Sequence, residues 1–207
     1  MVNKTVNKTI AFYDENAADF CDKHDAIRLD PFHKEVRANI PVGSKILEIG
    51  CGSGRDAARS LADGYDIIAL DGSKGLLAEI PKRHPELKDR LLFGIMPCRL
   101  DFPDEYFDGF YSVACLMHLY EKDLVPTLAE LYRLTKKGGK GLVSIPTTRN
   151  DVNDDGVDVK GRTMNLMPIE IWEKYFIEAG FFATHGEEEP DKLDRPGVFW
   201  LTFVLTK

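Results

Sequence analysis

The chain has 207 residues, 43% hydrophobic and 29% charged, and its 27 Lys+Arg against 34 Asp+Glu give a formal net charge of -7. These values describe one globular α/β domain with a substantial core, and they disfavour non-specific attraction to nucleic acid or to an anionic membrane. Cys21, Cys51, Cys98 and Cys115 show no C-x-x-C or zinc spacing, no apolar run reaches the length of a membrane span, and no signal-peptide core opens the chain. Reduced thiols, no metal, no membrane and a cytoplasmic location are therefore expected.

The tetrapeptide VNKT occurs at Val2–Thr5 and again at Val6–Thr9, giving two N-x-T sequons that matter only in a secretory compartment, so a frayed polar start is expected. Ile10, Phe12, Tyr13, Ala17, Phe20 and Cys21 recur at near-helical spacing, which predicts one amphipathic helix from Thr9 to about His24. With a second helix near Pro31 to Asn39, residues 1–40 read as a helical cap. A strand over Lys45 to Ile49 leads into a helix from Arg55 to Asp63, closed by Gly64. Further strands are predicted at Tyr65 to Asp71, Leu91 to Met96, Phe107 to Ala114 and Gly141 to Ile145. Between them lie helices from Ser73 to Ile80, ended by Pro81, and from Glu121 to Thr135, with Gly138-Gly139 past its end. A helix from Pro168 to Ala179 and strands at Phe182 to Glu187 and Val198 to Thr206 complete a single domain. Its core is residues 45–146, followed by a loop over 147–167 and a tail over 168–207. The alternation of strands and helices requires a doubly wound α/β fold with a mostly parallel sheet, helices on both faces and ligands at the C-terminal strand ends.

The organising stretch is KILEIGCGSGRD, Lys45 to Asp56, in which an apolar strand runs through Gly50, Gly52 and Gly54 into a helix start. Such a turn lets the backbone approach a polar nucleoside, with the helix N-H groups facing it. Two readings stay open on spacing alone. GSGRDA, Gly52 to Ala57, satisfies the G-x-G-x-x-G/A pattern of dinucleotide binding. Glu48, two places before G-x-G-x-G, fits a different nucleoside site. Asp71 ends the next strand 21 residues after Gly50, near the offset of a ribose-binding carboxylate, and can accept hydrogen bonds from both hydroxyls of a diol. It could instead cap the helix beginning at Ser73, although Ser73 can do that itself.

Glu48 with its three glycines, the run RLDFPDEYFDGFYSVACLMHL, the turn and strand LTKKGGKGLVSI, Gly161-Arg162 and the tail RPGVFWLTFVLTK together resemble class I S-adenosylmethionine-dependent methyltransferases. The small bacterial members grouped with tellurite-resistance proteins are the most similar. The resemblance implies a Rossmann-like, seven-stranded sheet with the last strand antiparallel, and S-adenosylmethionine as cofactor with S-adenosylhomocysteine as product. It implies cofactor contacts from Tyr13, Glu48, Gly50, Cys51, Gly52, Ser53, Gly54 and Asp56 around the first turn. Asp71, Gly72 and Ser73 would hold the ribose side. Met96, Pro97, Cys98, Ala114 and Cys115 would surround the base and sulfur. Many members place an Asp where Met96 stands, so the adenine is expected to rest on Met96 and Cys98 and to be read by backbone groups.

His118 follows the fourth strand and is the candidate general base, with a histidine that satisfies a strand-end carbonyl as the alternative. The loop from Thr147 to Leu166 has no periodicity and reads as a substrate lid. Its Arg162 suits a planar or anionic acceptor through a bidentate fork. Arg195 could reach the same mouth or pair with Asp191 or Asp194. Asp151, Asn153, Asp155 and Gly156 match the opening of an EF-hand loop, but Arg162 stands where its bidentate Glu is required, so no metal is expected. The expected function is in-line methyl transfer to a small-molecule acceptor. A dinucleotide-dependent oxidoreductase and an enzyme or cofactor-binding partner of RNA modification are the alternatives. Oligomeric state is not legible.

Overall fold

The structure is a computed structural model that describes residues 4–193 and 195–207. The start of the first VNKT repeat and Asp194 as an ion-pair partner lie outside the described residues. Strand β1 (Lys45–Ile49) is buried from Ile46 onward, as a central parallel strand covered on both faces must be. It pairs in parallel with β2 (Asp66–Asp71) on one side and β4 (Phe107–Val113) on the other. Beyond them lie β3 (Leu91–Phe93) and β5 (Thr135–Thr148), both parallel to their neighbours. Strand β8 (Phe199–Thr206) runs antiparallel to β5, and β6 (Phe182–His185) pairs antiparallel with β8 at the edge. The sheet order is β3-β2-β1-β4-β5-β8-β6, with the two-residue β7 (Glu189–Pro190) also paired to β8. The mostly parallel sheet with an antiparallel last strand is thus as expected, and β7 is an addition.

Consecutive strand residues point to opposite faces and so supply two cores. Ile46, Ile67, Tyr111 and Leu142 pack with Val36 of α3 (Asp30–Asn39), Ala57 of α4 (Arg55–Ala62) and Ile80 of α5 (Lys74–Arg83). Leu47, Leu70, Phe110 and Val143 pack instead with Leu124, Leu128 and Leu131 of α6 (Glu121–Leu134) and with Trp172 and Phe176 of α7 (Ile169–Glu178). Burying each large side chain of these layers contributes about 1.5–3 kcal/mol.

Several boundaries differ from expectation for local reasons. The single N-terminal helix is two, α1 (Lys4–Glu15) and α2 (Ala17–His24). Asn16 between them has φ -116 and ψ 21, and its side-chain amide donates to the Phe12 carbonyl at 2.8 Å, a local bond that competes with the helix. Pro81 does not end α5, which continues to Arg83. Its missing N-H forfeits one bond in the last turn, and His84 N still closes on the Ile80 carbonyl at 2.7 Å. Gly138 and Gly139 do not cap α6 but lie inside β5, which starts at Thr135 directly after the helix. Leu116–His118 form a 3-10 turn after β4. The segment 149–167 carries only the bridges Val152–Asp158 and Val157–Thr163. Among the described residues no helix is long and apolar enough to cross a membrane.

Candidate functional site

The glycine turn is strapped to the sheet at its start, where the N-H groups of Gly50 and Cys51 both donate to the Leu70 carbonyl, at 2.8 and 2.9 Å. Gly50 has φ 75, and a Cβ there would lie 2.3 Å from Cys115 Sγ, so both conformation and space require glycine. Asp71 ties the turn to the next one. Its Oδ2 accepts from Gly52 N and its Oδ1 from Ser73 N, each at 2.8 Å. Ser73 Oγ accepts from Leu76 N at 3.1 Å and caps α5, so helix capping is not what holds Asp71. Ser73 Oγ also donates to Asp14 on α1 at 2.6 Å. Burial raises the Asp71 carboxyl to about 6, against the pull of the Ser73, Gly52 and Gly72 amides.

Beneath the turn lies a second acidic pair. Glu48 is buried and accepts from the Tyr111 hydroxyl at 3.2 Å. Its burial first, and the neighbouring Asp56 second, push it well above the carboxylate range. Burial would raise Asp56 too, but the His33 imidazole at 2.9 Å and the Arg55 guanidinium at 2.6 Å hold it below its ordinary value. Asp56 borders the cavity, and its carboxylate also ties α3 to α4 through His33.

At the opposite end three chain segments meet on one hydroxyl. His118 Nδ1 lies 2.6 Å from the Thr163 carbonyl, and because a carbonyl only accepts, that nitrogen carries the proton and leaves Nε2 as acceptor. Tyr13 Oη sits 3.0 Å from Nε2 and donates to it, while Arg162 Nη1 donates to Tyr13 Oη at 2.8 Å. Burial pushes the His118 imidazole down to about 4, so it is neutral near pH 7. The carbonyl that His118 satisfies belongs to the loop and not to a strand end. Arg162 does not offer a free fork: its Nε and Nη2 hold Asp158 at 2.9 and 2.5 Å. Thr163 N donates to Thr9 Oγ1 at 3.0 Å, and Asn165 N to the Met117 carbonyl at 2.6 Å, so the loop lies against α1 and the turn after β4.

Between the two ends is a cavity of about 610 Å³ at the C-terminal strand ends, continuing along a wall from Gly186 to Val204. That size suits a nucleoside-containing ligand together with a small second molecule. The residues present also fit such a ligand chemically. Each Asp71 oxygen accepts one N-H and keeps a lone pair for a diol. Ala114, in the left-handed region at φ 53, holds a sparsely populated conformation beside the same cavity, as residues at functional sites often do.

A family model described as a methyltransferase domain matches residues 46–139, the stretch that carries the glycine turn, Asp71 and β4. Residues 46–139 are thus similar to a methyltransferase domain, over less than half of the chain. Methyltransferase GfsG of Streptomyces halstedii is 26% identical over 57% of this chain and 43% of its own. A demethylmenaquinone methyltransferase of Beutenbergia cavernae is 30% identical over 49% of this chain and 40% of its own. The chain thus spans less than half the length of these two curated relatives. Among solved structures, the 1,6-didemethyltoxoflavin-N1-methyltransferase of Burkholderia thailandensis, crystallised with 1,6-didemethyltoxoflavin and S-adenosylhomocysteine, has a TM-score of 0.73 at 20% identity, over 97% of this chain and 88% of that one. A TehB-like S-adenosylmethionine-dependent methyltransferase of Corynebacterium glutamicum has a TM-score of 0.68 at 21% identity, over 94% and 98%. At these identities the structural likeness is one of fold.

Most of the residues singled out in sequence line this cavity: Tyr13, Glu48, Gly50, Cys51, Gly52, Ser53, Asp56, Asp71, Gly72, Ser73, Met96, Ala114, Cys115, His118, Arg162 and Arg195. Gly54, Pro97 and Cys98 do not. A Cβ on Gly54, at φ 83, would meet Ile80 Cγ2 at 2.8 Å, so this glycine serves the packing of α4 on α5. Cys98 Sγ turns onto Met96 Sδ at 3.6 Å, leaving Met96 alone at the cavity wall. Arg195 holds Asp191 through Nε and Nη2 at 2.9 and 2.6 Å. Sequence reasoning missed Phe20, Ile95, Arg149 and Trp200, which also line it. Phe20 had a signal, two helical turns from Tyr13, whose ring it meets edge-on with centroids 5.2 Å apart. Arg149 and Trp200 had none, since only β8 and the loop bring them to the mouth.

Proposed function

We propose that the chain transfers a methyl group from S-adenosylmethionine to a small molecule and releases S-adenosylhomocysteine. The observation that carries this reading is the continuous cavity, with the glycine turn and buried Asp71 at one end and the Tyr13–His118 pair at the other. When bound, S-adenosylmethionine supplies a sulfonium methyl whose in-line displacement forms the acceptor–carbon bond, breaks the carbon–sulfur bond and leaves the electron pair on sulfur. Asp71 accepts the ribose hydroxyls. Gly50, Cys51, Gly52 and Ser53 allow close backbone approach, Glu48 sits beneath them, and Gly72, Ser73 and Met96 take the nucleoside side. Ala114 and Cys115 form the floor, and Tyr13 covers the reacting end.

The acceptor must lose a proton if it arrives protonated. Tyr13 Oη holds its own hydrogen on His118 Nε2, so a proton from the acceptor passes to Tyr13 oxygen as the tyrosine proton passes to the neutral imidazole. Arg162 stabilises that oxygen while it exchanges. The loop over 147–167 acts as the lid, and its ordering is compensated by contacts to α1 and to bound ligands. The acidic balance of the chain supports a small-molecule acceptor over nucleic acid, and the four free cysteines support a reducing, cytoplasmic setting.

Isothermal titration decides the cofactor. S-adenosylhomocysteine should bind saturably and NAD should give no heat. Tight NAD binding with no heat from either sulfur cofactor would overturn the reading.

A further inference from the structure

We infer that the methyl acceptor carries no negative charge and is a neutral or cationic small molecule. This inference rests on the methyl-transfer reading above and concerns the cations bordering the cavity. A pocket for a phosphate, a carboxylate or an oxyanion presents an unengaged guanidinium fork or ammonium in its wall. Here each such group already has its own carboxylate. Arg149, with its side chain 2% exposed, gives Nε and Nη2 to Asp151 at 2.8 and 2.6 Å. Arg195 grips Asp191, whose Oδ1 also accepts from Trp200 Nε1 at 2.7 Å. Arg162 is divided between Asp158 and the Tyr13 hydroxyl. Arg55 holds Asp56, and Lys192 lies 3.5 Å from Glu189.

The Arg162 and Arg195 pairs are not loose surface contacts that an incoming anion could replace. The Asp158 and Asp191 side chains are 0% and 4% exposed, so taking away the guanidinium would leave a buried carboxylate without a cationic partner, an unfavourable outcome. Asp71, Glu187 and Glu35 also border the cavity, and among the described residues none of them has an ion-pair partner. With the cations matched and these carboxylates in surplus, the wall repels an anion and accepts an uncharged or positively charged molecule.

The test uses two probes of one shape, benzoate and benzylamine, titrated onto the protein saturated with S-adenosylhomocysteine. Trp200 at the cavity wall gives a fluorescence readout beside the calorimetric one. Benzylamine should bind at least about tenfold more tightly than benzoate. Asp191→Asn, whose carbonyl oxygen keeps the Trp200 bond, frees the Arg195 fork and should raise benzoate affinity roughly tenfold, the effect of one charge-assisted bond of about 1.4 kcal/mol. Asp151→Asn does the same for Arg149 and stands in if the first variant fails to fold. Where the wild type binds neither probe, the gain of benzoate binding in these variants decides. Benzoate binding as tight as benzylamine in the wild type, or benzoate affinity unchanged in both variants, overturns the inference. Failure of S-adenosylhomocysteine to bind would count against the methyl-transfer reading instead, and the probe ratio on the protein alone would still test the charge argument.

Discussion

Asp71→Ala separates binding from folding, because under the proposed function the same carboxylate serves a ligand as well as the two backbone amides it accepts from. On the ligand side the substitution removes charge-assisted hydrogen bonds to a diol, about 1.5–3 kcal/mol, or roughly 10- to 150-fold in the dissociation constant of S-adenosylhomocysteine. On the folding side two opposing effects arise. Gly52 N and Ser73 N lose their acceptor, at about 1–3 kcal/mol each before water in the cavity replaces it. The unfavourable burial that raises Asp71 from 3.8 to about 6 also disappears, on the order of 3 kcal/mol. Stability at pH 7 should therefore lie between about 1 kcal/mol of gain and about 3 kcal/mol of loss while binding weakens sharply. The pH dependence has a definite sign. Because the folded value is raised, the stability linked to Asp71 is present below about 3.8 and lost as pH rises through about 6. Ligand affinity runs the other way, since the diol needs the ionised form: at pH 5 it should be roughly tenfold weaker than at pH 7. Titration calorimetry at both pH values, with urea unfolding of the same samples, measures all of this. An unchanged dissociation constant in Asp71→Ala, or the same pH slope in variant and wild type, would refute the assignment.

Tyr13→Phe keeps the ring on Phe20 but removes the hydroxyl shared by His118 and Arg162. Turnover of an accepted substrate should fall on the order of 100-fold with cofactor affinity within about threefold, and equal turnover would remove the proton relay. His118, buried and held at about 4 against an ordinary 6.5, contributes stability that is full above about 6.5 and lost as pH falls toward 4. Unfolding of wild type and His118→Asn at pH 7 and pH 4 should show the wild type losing on the order of 2–3 kcal/mol more, and parallel losses would contradict the burial argument. Gly54→Ala combines a left-handed backbone with a 2.8 Å approach to Ile80 Cγ2, so it should cost about 2–5 kcal/mol in urea unfolding. A loss under about 1 kcal/mol would show that α4 and α5 can separate there without consequence.

The strand and helix pattern was legible because β1 and β2 are short buried runs bounded by glycines and β4 is a mostly buried apolar run, and such runs report their own burial. The glycine turn and Asp71 were legible for a related reason: both lie within one local unit, β1 to the start of α5. What stayed hidden was decided by tertiary neighbours. Asp56 carried no signal of its partners in sequence, yet His33, 23 residues earlier, and Arg55 engage its oxygens. Arg162 looked like a free fork, but Asp158 stands one helical-like step before it and Tyr13 reaches it from 149 residues away. Cys98 follows Met96 by two residues yet points away from the cavity wall, because the chain between them turns. A glycine pair after a helix reads as a cap in sequence, and only the pairing of β5 with β4 shows it to be a strand.

The two ends of the cavity are joined by a single turn of α1. Tyr13 reaches His118 and Arg162 at one end, while Asp14, the next residue, accepts from Ser73 Oγ at 2.6 Å and from Gly75 N at 2.8 Å, beside Asp71 at the other. Adjacent helical residues point about 100° apart, so one rigid turn can serve both ends only if it lies across the cavity mouth. The α1 backbone is then ordered once for two sets of contacts, and the entropy cost of holding it is shared between them. The loop from 149 to 167 closes on the same helix through Thr9 and Tyr13. Under the proposed function, nucleoside contacts that hold α1 in place would therefore also hold the tyrosine and the loop at the acceptor end, which would favour assembling the reacting site only when the cofactor side is in order.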